Sequence, residues 1–183
     1  MTTATDKVVM DDDALRRTLV RIAHEIVEKN PEMSDVCLVG IYTRGVAIAQ
    51  RLRREIAQAT GFEPDVGALD ISFYRDDVTS RQPVVHSTRL DFPIDGRTVV
   101  LVDDVLYTGR TIRAAMNELF DYGRPASIRL AALIDRGGRE LPIAAQWSAG
   151  TVEVPEGKGV ELKRDEQGRF SLAWYERSAP DVA

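Results

Sequence analysis

The chain is short of the residues that mark redox chemistry, secretion or a protein-held metal, with one cysteine and two histidines among 183 residues. A lone cysteine excludes an internal disulfide. Cys37 lies inside the apolar run Val36 to Ile41, which reads as a small buried strand residue rather than a nucleophile. His24-Glu25-Ile26-Val27-Glu28 has Glu28 where a His-Glu-x-x-His zinc helix needs its second histidine, and His86 is the only other one. No apolar run approaches the roughly 18 residues that cross a bilayer, and Met1 to Lys7 is polar rather than signal-like. A soluble, cytoplasmic protein with no membrane partner is expected. A basic excess is also missing. The net charge of -5 argues against a nucleic-acid partner held by the whole surface, though a local basic patch remains compatible with it.

What is present is patterned. With 44% hydrophobic residues the chain can bury one sizeable core, so a single domain over 1–177 is expected, followed by a frayed tail at 178–183. From Asp11 to Asn30, Leu15, Leu19, Ile22 and Ile26 recur at helical spacing behind an acidic start. Val36 to Tyr42 reads as a buried strand, Thr43-Arg44-Gly45 as a turn, and Val46 to Thr60 as a second helix stopped by Gly61. Val66 to Tyr74 reads as a strand, and Arg75 to Asp91 as a long polar excursion. Thr98 to Val102 and Ile128 to Ile134 are β-branched buried strands flanking a helix from Thr111 to Tyr122. Strands alternating with helices predict an α/β fold, a parallel sheet flanked by helices. Beyond Arg136 the pieces Thr151 to Val154, Gly159 to Lys163 and Arg169 to Tyr175 predict a small antiparallel appendage.

One segment carries the chemistry. Val99-Val100-Leu101-Val102-Asp103-Asp104-Val105-Leu106-Tyr107-Thr108-Gly109-Arg110-Thr111 is a buried strand ending in two acids and a turn into a helix. Ligands of open α/β sheets bind outside the carboxyl ends of the strands, where this turn must lie. Backbone N–H groups of Tyr107 to Thr111 can cradle a phosphate, with Gly109 permitting close approach and the Thr108 and Thr111 hydroxyls adding donors. Two carboxylates beside a phosphate would repel it unless they bind hydroxyls or a metal. The pair therefore points to a sugar phosphate with a diol, accompanied by Mg²⁺. A nucleotide hydrolase strand also ends in acids, but the Gly-x-x-x-x-Gly-Lys-Ser/Thr run it requires is missing.

This segment resembles the phosphoribosyl pyrophosphate (PRPP) signature of type I phosphoribosyltransferases. Gly40-Ile41-Tyr42-Thr43-Arg44-Gly45-Val46, Leu69-Asp70-Ile71-Ser72-Phe73-Tyr74-Arg75-Asp76-Asp77, Gly123-Arg124-Pro125 and Asp135-Arg136-Gly137 to Arg139-Glu140-Leu141-Pro142 extend the likeness. Together they resemble the bifunctional pyrimidine-operon attenuator/uracil phosphoribosyltransferase family (PyrR). The resemblance implies a five-stranded parallel sheet with flanking helices, a small hood and a flexible loop. It also implies a transferase making UMP and pyrophosphate from uracil and PRPP. Its Mg²⁺ is carried by PRPP rather than held directly by the protein, its form is a homo-oligomer, and pyrimidine-operon leader RNA is a further partner.

Carried onto this chain, the resemblance gives Asp103 and Asp104 the ribose hydroxyls and Thr108, Gly109, Arg110 and Thr111 the 5′-phosphate, with Val105, Leu106 and Tyr107 completing the PRPP segment. Thr43, Arg44 and Gly45 match the pyrophosphate loop, where a guanidinium can neutralise the leaving group. An ordinary strand-to-helix turn is the alternative there. Tyr74 and Arg75 fall in the closing loop. Asp135 and Arg136 would lie near the base, with a surface ion pair as their plain alternative. Family members usually carry a histidine at the position of Gly138 and basic residues near Ala144 and Gly150. The basic residues that remain as an RNA face are Arg17, Arg21 and His24 on the first helix, against the reading of a solvated face that Glu28 continues. The PRPP signature alone does not choose uracil over a purine or orotate.

Overall fold

The computed structural model describes residues 8–72 and 86–176. Helix α1 spans Asp12–Lys29, and its N-cap Asp11 accepts the Ala14 N–H at 2.8 Å. Asp12 and Asp13 in its first turn and Lys29 in its last complement the helix dipole. Leu15, Leu19, Ile22 and Ile26 are all buried on one face, as their spacing predicts.

Four parallel strands form the central sheet: β2 Val36–Ile41, β3 Asp65–Leu69, β4 Thr98–Leu106 and β5 Ser127–Asp135, in the order β3-β2-β4-β5. Their apolar runs are continuous because both faces are covered. Leu38, Val100, Val102 and Leu133 face α1 and helix α2 (Arg44–Thr60). Cys37, Val39, Val99 and Leu101 face helix α3 (Arg110–Tyr122). Cys37 is fully buried, and desolvation pushes its thiol up to about 11, as fits a strand residue that does no chemistry.

The structure departs from the sequence reading at several points, among them the start of α2 at Arg44 rather than Val46. Strand β4 runs on to Leu106, so Asp103 and Asp104 are still strand residues, with Asp103 opposite Ala132 of β5. Strand β3 stops at Leu69 rather than Tyr74, because the buried Asp70 turns the chain by accepting the N–H of Ser72 at 2.9 Å and that of His86 at 2.5 Å. A fifth parallel strand does not form among the described residues. Isolated parallel bridges from Trp147 to Ala131 and Thr151 to Asp135 take its place, and Thr151 to Val154 is not a strand. This segment follows the sheet edge through backbone hydrogen bonds, among them Ala149 N–H to the Leu133 carbonyl at 2.8 Å, Asp135 N–H to the Gly150 carbonyl at 3.0 Å and Val152 N–H to the Asp135 carbonyl at 2.8 Å.

The predicted antiparallel appendage is a three-stranded hood, ordered β1-β7-β6, from β1 Val8–Met10, β6 Lys158–Arg164 and β7 Phe170–Glu176. Val160, Leu162 and Leu172 carry its apolar face into the same core as α1. Strand β1 is too short for a two-residue period to reveal it in the sequence. Among the described residues no helix is long and apolar enough to cross a membrane.

Candidate active site

Two helices begin where two neighbouring strands end. Strand β2 leads through Tyr42 and Thr43 into α2, and its neighbour β4 leads through Tyr107 to Gly109 into α3. Neither helix has a side-chain hydrogen bond from its N-cap residue, Thr43 in one case and Gly109 in the other. Two positive helix ends therefore open on one edge of the sheet, at a spacing fixed by adjacent strands.

Glycine permits each approach. A Cβ on Gly45 would stand 2.2 Å from the Val102 carbonyl oxygen, so only glycine lets the start of α2 lie against β4. Gly109 has φ 91°, a left-handed conformation that turns the chain from strand into helix. The α3 turn is tied down further along the chain: the Thr108 carbonyl accepts N–H bonds from Glu140 at 3.0 Å and Leu141 at 3.1 Å, and Arg110 pairs with Glu140 at 2.6 Å. Thr108 Oγ1 accepts the Arg110 N–H at 3.2 Å.

Between the two helix starts lie the acids. Asp103 is 8% exposed, and burial, reinforced by the neighbouring Asp104 carboxylate, holds its carboxyl well above the usual range. Its Oδ1 accepts the Asp104 N–H at 2.9 Å, and Asp104 Oδ1 accepts the Val105 N–H at 2.9 Å. The other oxygen of Asp104 faces the hood, accepting the Leu162 N–H at 3.3 Å and lying 3.9 Å from Arg44 Nε. Arg44 Nε donates to the Leu162 carbonyl at 2.9 Å, and Nη2 donates to the Glu161 carboxylate. The structure thus brings Thr43, Arg44, Gly45, Asp103 and Asp104 together across adjacent strand ends, and adds Glu161 and Leu162, which sequence reasoning missed. Glu161 is a polar position in an alternating hood strand, and nothing in that pattern distinguishes it.

Asp135 and Arg136 close β5 beside this edge, but they do not pair with each other. Asp135 pairs with Arg139, whose guanidinium also donates to the Tyr107 carbonyl. Arg136 lies 4.0 Å over the Tyr107 ring, and its Nε is buried without a hydrogen-bond partner. Arg139 falls in the stretch Arg139 to Pro142 that carries the family resemblance, yet its role as a brace for Tyr107 depends on a register that no spacing rule supplies. Gly138, at φ 68°, passes so close to Tyr107 that a Cβ there would meet the ring at 2.4 Å.

Tyr74 and Arg75 lie outside the described residues. Arg17, Arg21 and His24 are all exposed on α1. Arg21 is engaged, donating to Glu25 at 2.6 Å and to the Ser148 carbonyl at 2.8 Å. His24 Nδ1 lies 2.8 Å from the Val20 carbonyl oxygen.

Comparison with known proteins agrees with this geometry. Residues 11–165 match the family model for the phosphoribosyl transferase domain. The relative named Bifunctional protein PyrR from Listeria welshimeri is 49% identical over 161 residues, covering 85% of this chain and 88% of its own. One of the same name from Caldicellulosiruptor bescii is 51% identical over 162 residues, covering 87% and 89%. Among solved structures, a hypoxanthine phosphoribosyl transferase from Trypanosoma cruzi superposes with TM-score 0.71 at 18% identity, over 94% of each chain. One from Staphylococcus aureus gives 0.64 at 16% identity, over 81% of this chain and 79% of its own. At such identities the structural likeness speaks for the fold alone.

Proposed function

The chain belongs to the phosphoribosyltransferase family, among its bifunctional PyrR members, and on that premise we propose that it makes UMP and pyrophosphate from uracil and PRPP and regulates pyrimidine genes through their mRNA. The observation that carries the enzymatic half is the pair of helix starts, neither held by the side chain of its N-cap residue, that flank Asp103 and Asp104 on adjacent strands. A substrate with a phosphate at one end, a pyrophosphate at the other and a diol between them matches that layout.

Residues 108–111 hold the 5′-phosphate by backbone N–H groups and the hydroxyls of Thr108 and Thr111. Val105, Leu106 and Tyr107 lead into this cradle and seal its floor. Asp104, and Asp103 behind it, accept from the ribose hydroxyls. Burial and the Asp104 carboxylate raise the Asp103 carboxyl, which favours the protonated form, and a protonated carboxyl can also donate. Thr43, Arg44 and Gly45 take the pyrophosphate. In the reaction the C1′–O bond breaks and its electron pair leaves with pyrophosphate. The C1′–N bond to uracil forms, and the N–H proton of uracil is released. Arg44 and the α2 N-terminus stabilise charge that grows on the leaving group, so they contribute most where the barrier is highest.

Among the described residues no group of three or more His, Cys, Asp or Glu side chains is placed to hold a metal. Asp103 is buried, and burial together with the neighbouring Asp104 carboxylate raises its carboxyl well above the usual range. In this reading Mg²⁺ enters as part of the substrate, carried by PRPP, and would neutralise the pyrophosphate. Asp135 and Arg136 flank the base, with the Arg136 guanidinium stacked over the Tyr107 ring. Tyr74 and Arg75 belong to the closing loop. The enzyme acts in the cytoplasm as a homo-oligomer.

For the regulatory half, Arg17, Arg21 and His24 form the RNA face, where Arg21 is also engaged by Glu25 and the Ser148 carbonyl. Phosphate contacts weaken with added salt, so leader-RNA binding should fall steeply with ionic strength and strengthen with UMP. The direct test of the enzymatic half is incubation with labelled uracil and Mg·PRPP. Equal amounts of UMP and pyrophosphate are expected, and unconsumed uracil would overturn the reading.

A further inference from the structure

Arg44 and Asp104, the cation and the acid that the reading above gives to PRPP, are both already engaged by one dipeptide of the hood. Arg44 donates to the Glu161 carboxylate and to the Leu162 carbonyl, and Asp104 accepts the Leu162 N–H. The remaining oxygen of Glu161 lies 3.8 Å from Lys163 Nζ. A carboxylate and a phosphate present the same face to a guanidinium, whose planar fork accepts either. Glu161 thus occupies Arg44 with the chemistry that a pyrophosphate would bring. The pair is partly open to solvent, with side-chain exposures of 47% for Arg44 and 26% for Glu161, so water screens it and its hold is weak. A pyrophosphate carries more charge and can displace it.

We propose that Glu161 is an internal rival of pyrophosphate for Arg44, a positioning residue through which hood strand β6 sets the affinity for PRPP and for the pyrophosphate product. The inference rests on the pyrophosphate-loop reading of Thr43 to Gly45. Because Glu161 acts on the free enzyme, its removal should favour both pyrophosphate-bearing ligands by one factor and leave the bound transition state untouched.

The test uses the full chain with Glu161→Gln, Glu161→Asp, Arg44→Gln and the Glu161→Gln/Arg44→Gln pair. Each is titrated calorimetrically with inorganic pyrophosphate and Mg²⁺, and assayed for KM and kcat with PRPP. Glu161→Gln should tighten pyrophosphate and lower the KM for PRPP by a common factor of about two to five, the range of a half-exposed ion pair, with kcat unchanged. Glu161→Asp, which keeps the charge, should lie near the parent. In the Arg44→Gln background the gain should vanish, since the two residues act on one another. Unchanged or weaker pyrophosphate binding in Glu161→Gln, or a gain that persists without Arg44, would overturn the inference while an active parent enzyme left the site reading standing. A parent chain that neither consumes PRPP nor binds pyrophosphate would bring down both.

Discussion

The sheet edge and the hood meet at Arg44, and they are built on different principles. Strand β4 is buried along most of its length because helices cover both of its faces, so its acids project from a rigid support. Strands β6 and β7 alternate, with Val160, Leu162 and Leu172 turned to the core while Glu161 and Lys163 are only half-buried. On the proposed reading, the sheet holds groups that stay fixed during reaction, whereas the hood offers groups that a ligand can displace. If that contrast is sound, changes at the sheet edge should damage turnover, and changes at the hood should shift affinity.

The largest effect expected is from removing the metal that PRPP carries: a chelator should abolish UMP formation, and added Mg²⁺ should restore it. Persistent activity in excess chelator would deny the pyrophosphate its neutralising ion. Next comes Asp104→Asn, which should cut kcat by about 10²-fold in a chain that still folds, as for the loss of one preorganised electrostatic contact. An Asp103→Asn/Asp104→Asn double variant, folded and fully active, would remove the acids from the mechanism. Arg44→Ala should follow, with impaired turnover and a raised KM for PRPP. If both constants stay at the parent's values, the pyrophosphate loop lies elsewhere.

Asp103 sharpens the contrast through stability. Its carboxyl is raised by burial and by Asp104, so the native state stays protonated where the unfolded chain has already ionised. Stability from this group is present in full below the unfolded value of 3.8 and is lost as pH rises from there through the raised native value. Asp103→Asn keeps the acceptor for the Asp104 N–H and removes the ionisation. It should therefore melt higher than the parent near neutral pH, by about 2–4 °C for each kcal/mol gained, and the advantage should shrink as pH falls toward 4. A variant that melts lower at neutral pH would show that Asp103 is held ionised. The smallest effect expected is at α1, where Arg17→Ala should weaken leader-RNA binding modestly, reduce its salt dependence and leave UMP formation alone. Equal affinity for a scrambled RNA would make that face merely solvated.

Legibility in the sequence followed the same divide. The strands and helices around the site could be read because two-sided burial writes continuous apolar runs, and because Asp103-Asp104 and Thr108-Gly109-Arg110-Thr111 stand at a strand end. The hood was legible only as strand-like pieces. A three-residue β1 carries no period, and the pairing of Glu161 with Arg44 spans more than a hundred residues, so no local spacing records it. In place of the fifth strand expected from the resemblance, the segment from Gln146 to Val152 hydrogen-bonds along β5 and is joined to it by isolated parallel bridges only. The surface ion pair that is the plain alternative for Asp135 and Arg136 does not form, because Arg139 takes Asp135 and Arg136 lies over the Tyr107 ring.

The central claim is that this sheet edge serves uracil, although the fold is shared with hypoxanthine enzymes. The most direct test is one reaction with Mg·PRPP and equal amounts of uracil, hypoxanthine, guanine and orotate, with every nucleotide product quantified. The account predicts UMP as the dominant product, formed together with pyrophosphate. A purine nucleotide or orotidylate as the main product, with uracil left unconsumed, would contradict it.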